Sequence, residues 1–115
     1  MANTELGFVV RQMTPTAIDK SNPVRVTVVS NGLTNDQYVR ATDFVTSPVF
    51  TGMQELNNQL FMIGQVTADT FDLFDQYGSP IDGTSYTTFV DIGLAKFTLT
   101  GPALYTQNLN TRENI

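Results

Sequence analysis

At 115 residues the chain suits a single domain with its own hydrophobic core and leaves no room for a catalytic and a regulatory module together. With no Cys and no His it lacks disulfides, thiolate zinc sites, thiol nucleophiles, and the Ser-His-Asp and Cys-His arrangements. The net charge of −5 includes only six scattered basic residues, Arg11, Lys20, Arg25, Arg40, Lys96 and Arg112, a pattern that speaks against direct binding to a nucleic-acid backbone.

In chain order, Met1 to Gly7 is short and polar and lacks the basic region and apolar core of a signal peptide; no run approaches a membrane-spanning length. Phe8-Val9-Val10 is a β-branched fragment suited to an edge strand or to an arm on a neighbouring subunit. Thr14 to Pro23 carries Pro15 and Pro23 without a helical stripe and reads as an extended connection. Val24 to Val29 alternates, with Val24, Val26 and Val28 on one face, and is the clearest strand. Ser30-Asn31-Gly32 is a turn, and Tyr38 to Ala41 the next strand.

Asp43 to Thr51 sets Phe44, Val45, Val49 and Phe50 around Pro48, which forbids a central strand and predicts a loop with apolar side chains. Met53 to Asn58 predicts one short helical turn. Leu60 to Val66, Thr67-Ala68-Asp69 and Thr70 to Phe74 together predict a hairpin, with Phe71 and Leu73 on its core face. The run from Asp75 to Ser85 is a loop rich in Gly and Pro, and Tyr86 to Asp91 and Lys96 to Thr100 read as the last strands. Gly101-Pro102 stops the final strand, and Ala103 to Ile115 is a polar, Asn-rich tail.

The chemistry-bearing residues are sparse. Asp69, Asp72 and Asp75, with Asp82 further on, have carboxylates that a hard cation would accept, but no Asp-x-Asn/Asp-x-Asn/Asp-Gly loop exists and a strand turns Asp72 away from the other two. The expectation is solvated carboxylates, with no metal, no cofactor and no catalytic residue. The charged fraction of 15% is low, which favours buried contacts with partners. Phe44, Val49 and Phe50 either fill a neighbour's groove or fold back onto their own sheet. Tyr77, Tyr86, Phe89 and Tyr105 are not interleaved with basic residues, so they read as core or interface rather than as a platform for sugars or bases.

Four phrases carry a resemblance: Asn31-Gly32-Leu33-Thr34-Asn35, then Gly52-Met53-Gln54-Glu55-Leu56-Asn57-Asn58, then Val66-Thr67-Ala68-Asp69-Thr70-Phe71-Asp72-Leu73, and finally Thr84-Ser85-Tyr86. The chain resembles the small all-β module of tailed-bacteriophage structural proteins that is named for its similarity to the first-catalytic-cysteine-half domain of ubiquitin-activating enzymes. That family runs His-Gly-Leu, Gly-Met-x-Glu-Leu-Asn-Gly and Val-Thr-x-x-Thr-Phe-x-Leu, so the match covers roughly Pro23 to Gly93. Asn31 stands in place of the usual His and Asn58 in place of a Gly, and Thr42 to Thr51 looks like an insertion. Without cysteine, thioester chemistry is excluded.

What this implies is a virion building block. The expected fold is an all-β, small antiparallel barrel or sandwich of short strands with extended arms: an N-terminal arm and connection over 1–22, a β domain over 23–101 and a C-terminal tail over 102–115. The expected role is a non-enzymatic capsid cement or decoration protein, assembled into the virion in the bacterial host cytoplasm. Its partners would be the major capsid protein, connector or tail subunits, and copies of itself, with no nucleic acid or membrane. The alternatives are a head-to-tail connector or tail subunit, a carbohydrate-binding module of a tail appendage and, last, a glycosidase or peptidoglycan hydrolase, which would need a facing carboxylate pair. The candidate contact residues are Phe8, Val9, Phe44, Val49, Phe50, Leu104, Tyr105 and Leu109, with both ends laid across neighbouring subunits.

Overall fold

The computed structural model describes residues 11–101. Its strands are β1 (Arg11–Met13), β2 (Ala17–Asp19), β3 (Arg25–Thr27), β4 (Tyr38–Thr42), β5 (Leu60–Gly64), β6 (Thr70–Phe74) and β7 (Lys96–Gly101), with one 3₁₀ turn at Gln54–Leu56. All belong to one antiparallel sheet in the order β1-β7-β4-β5-β6-β3-β2. The expected all-β fold, the hairpin of β5 and β6, and the single helical turn are all present. Ile63 faces Leu73 and Met62 faces Phe74 across the hairpin.

The two edge strands are consecutive in the chain, separated only by Thr14-Pro15-Thr16. Three residues reach about 14 Å between flanking Cα atoms, whereas seven flat strands would hold the edges about 29 Å apart. The sheet therefore curls until its edges meet, as a barrel does. β1 and β2 run in the same direction, so 11–19 behaves as one strand that pairs first with β7 and then with β3. The switch falls at Pro15, which has no N–H to leave unpaired, and Thr16 N–H resumes the ladder on Thr27 C=O at 3.0 Å. Side chains span the split on either side: the Arg11 guanidinium donates to Asn31 C=O, and Lys20 Nζ lies 3.4 Å from Thr88 Oγ1.

Two expectations change here. Ala17–Asp19, read as part of an extended connection, is a strand, because its flanking prolines stand outside the three ladder positions and Ile18 turns inward. Tyr86 to Asp91 is not a strand. Its backbone bonds backbone groups of the 51–53 stretch at two separate points, Thr87 C=O accepting from Met53 N–H and Val90 N–H donating to Thr51 C=O, while Thr87 N–H goes to the Glu55 side chain and Tyr86 N–H to Gly83 C=O, so no continuous ladder forms.

Inward positions fill the barrel with side chains. Val24, Val26, Val28, Phe71 and Leu73 are buried, as their alternation requires, together with Val39, Ala41, Phe61, Ile63 and Phe97. Phe71 and Phe97 meet edge-on, with ring centroids 5.8 Å apart, although β6 and β7 are three places apart in the sheet. Only a closed wall brings those rings together.

Candidate functional site

The phrases that carry the resemblance build loops and most of β6. Asn31 is fully buried; its Oδ1 accepts from Leu33 N–H at 2.9 Å and its Nδ2 donates to Thr67 C=O at 3.2 Å, so one side chain ties two loops. Asn35 Oδ1 accepts from Val66 N–H. Gly52 sits at φ 68°, and a Cβ there would lie 1.8 Å from Thr88 C=O, so the position needs both the left-handed backbone and the missing side chain. Met53 and Leu56 are buried under the 3₁₀ turn, Glu55 accepts from Thr87 N–H and Oγ1, and Asn57 Oδ1 accepts from Phe44 N–H. Asn58 adopts φ 61°, a conformation that Gly takes freely and Asn tolerates.

The acidic residues are used in the same way. Asp69 accepts from Ser30 N–H, Asp75 from Tyr77 and Ser79 N–H, and Asp91 from Gly93 N–H. Asp82 accepts from Thr84 Oγ1 and N–H, and those two bonds hold its pKa below the ordinary value. The expectation of solvated carboxylates fails at Asp72, which is fully buried although it lies on the outward face of β6. Arg25, directly opposite on β3, covers it with Nε at 2.9 Å and Nη2 at 3.2 Å, and this pairing, mainly through its hydrogen bonds, raises the Arg25 pKa. Among the described residues no three His, Cys, Asp or Glu side chains are grouped so as to hold a metal ion, and no helix is long and apolar enough to cross a membrane.

What the fold leaves open is an apolar rim. The loop from Asp43 to Gln59 and the segment from Thr84 to Ala95 lie at the same end of the barrel, because Thr42 and Lys96 are paired where β4 ends and β7 begins. Phe44 does not belong to this rim. It is 1% exposed and packs edge-on against Phe97 at 5.6 Å, and against Phe89, so the contact expected of it with a partner is replaced by a place in the core. Val49 and Phe50 are exposed as expected, at 46% and 44%.

Thr51 is buried and holds this loop in shape, its Oγ1 accepting from Val45 N–H and its N–H donating to Val45 C=O. The Val90 N–H bond to Thr51 C=O joins the two segments one residue from Phe50, and Ile92 follows two residues on; Val90 and Ile92 are both exposed. Sequence reasoning missed Val90, because Tyr86 to Asp91 read as strand and apolar residues in a strand are assigned to a core face, and Ile92, which falls just past that segment. Of the other candidate contacts, Phe8, Val9, Leu104, Tyr105 and Leu109 lie outside the described residues. Neither a protein-family model nor a curated protein matches the chain.

Proposed function

We propose that the chain is a non-enzymatic structural subunit of a tailed-bacteriophage virion, a cement or decoration protein that seats on the capsid shell through its apolar rim. The observation that supports this reading is that Val49, Phe50, Val90 and Ile92 are exposed on two segments bonded to each other at one end of the barrel. Large apolar side chains held together at a surface suit a protein partner. The motif residues named above hold loops rather than line a cleft, which suits a scaffold.

The test is a binding measurement on shells of the encoding phage stripped of this protein. Full occupancy at on the order of hundreds of copies per shell is expected for a cement role; six or twelve copies would make it a connector instead. A Phe50→Ser/Val90→Ser variant should unfold at the parent's midpoint yet bind at least about tenfold more weakly, since anchor residues of this kind contribute about 2 kcal/mol or more. Unchanged binding by the folded variant overturns the rim assignment.

A further inference from the structure

The outer face of the barrel is polar along most strands, carrying Gln12, Arg25, Thr27, Arg40, Thr98 and Thr100. One row breaks this pattern. Tyr38, Met62 and Phe74 stand directly opposite one another on β4, β5 and β6, on the outward face because Val39, Ile63 and Leu73 turn inward. Leu60, two residues before Met62 on the same face, is 39% exposed. Phe74 packs over Gly64, where a Cβ would come within 2.8 Å of the ring, and the row forms an apolar strip bordered by the 75–80 turn, whose Gly78 comes near Met62.

The described chain ends beside this strip. Gly101, the last residue of β7, is paired with Tyr38, the first member of the row, and the next residue in sequence, Pro102, has no N–H with which to continue a ladder. We propose that the chain's own C-terminal segment, beginning at Pro102, crosses the outer face over Tyr38, Met62 and Phe74 and seats Leu104 and Tyr105 on the strip. The reach fits. From β7 to β6 is three strand spacings, about 14 Å, which four or five extended residues cover. The tether also decides between this segment and the same segment of another copy: a short link holds it at an effective concentration in the mM range, well above that of a free neighbour. This inference does not depend on the virion reading, and it assigns Leu104 and Tyr105 to their own barrel rather than to a partner.

The absence of native cysteine makes the test clean. Full-length chains carrying Met62→Cys with Leu104→Cys, or Met62→Cys with Tyr105→Cys, are oxidised mildly at low concentration and read on non-reducing gels and by mass spectrometry. The control pair is Thr27→Cys with Leu104→Cys, because Thr27 lies outward on β3, away from the strip. The expected result is an intramolecular disulfide in at least one Met62 pair, forming at least tenfold faster than in the control. Equal rates, or disulfides that join two chains, overturn the proposal. Repeating the comparison with Leu60→Cys, at a more exposed site on the same strip, guards against a folding defect at position 62.

Discussion

Closure of the sheet is tested most directly by the coupling between Phe71 and Phe97. In a flat sheet of this strand order and register the two residues would sit about 24 Å apart, three strand spacings across and six residues along, and act independently. In the barrel their rings are 5.8 Å apart at 89° and both are fully buried. Phe71→Leu and Phe97→Leu each exchange a ring for a smaller branched side chain, at a cost of about 1–2 kcal/mol. An edge-on pair contributes about 0.5–1.5 kcal/mol beyond its burial, and that contribution is lost once, not twice. The double variant should therefore be less destabilised than the sum of the singles by about 0.5–1.5 kcal/mol. A total loss of about 2–3 kcal/mol leaves a domain of ordinary stability folded. Urea titration followed by circular dichroism measures all four corners of the cycle, with an unchanged denaturant slope as the sign that the unfolded state is common to them. Additivity within about 0.3 kcal/mol would refute the packing of β6 against β7 across the core, and with it the closed barrel.

Two further outcomes follow from the loops. Gly52→Ala drives a Cβ to 1.8 Å from Thr88 C=O and should cost at least about 3 kcal/mol, whereas Gly93→Ala, with φ 78° and open space around it, should cost only about 1 kcal/mol; equal losses in thermal unfolding would contradict the close approach of the two segments. Asp82 has its pKa lowered by its bonds from Thr84, so native Asp82 binds a proton less readily than unfolded Asp82, and its contribution to stability is present above the ordinary value of 3.8 and lost as pH falls through the depressed one. Asp82→Asn should therefore flatten the fall in stability below pH 3.8, and a stability-versus-pH curve that stays parallel to the parent's would count against those bonds.

The candidate surface was half legible. Val49 and Phe50 could be singled out because Pro48 forbids a central strand while their side chains remain apolar. Nothing local separated them from Phe44, which differs only in where the loop carries it: Asn57 holds the Phe44 backbone at the barrel mouth, and its ring drops onto Phe97. Asp72 shows the same limit. Alternation correctly puts it on the outward face, but its burial depends on Arg25, 47 positions away in sequence and directly opposite in the sheet.

By itself the sequence determined the strands with a clean period of two, the hairpin, the turn at Asn31-Gly32 and the short helical turn within Met53 to Asn58, because alternation and local backbone requirements act within a few residues. Tertiary structure alone decided that 11–19 would serve as one strand with two partners, and that Tyr86 to Asp91, though rich in strand-forming residues, would stay outside the sheet. It also decided which apolar side chains face solvent. The physical reason is common to all three: a strand exists only where a partner offers its ladder, and curling the sheet brings the edge at 11–13 to the edge at 17–19 while leaving 86–91 across the mouth with isolated bonds to Thr51, Met53 and Glu55 and no ladder.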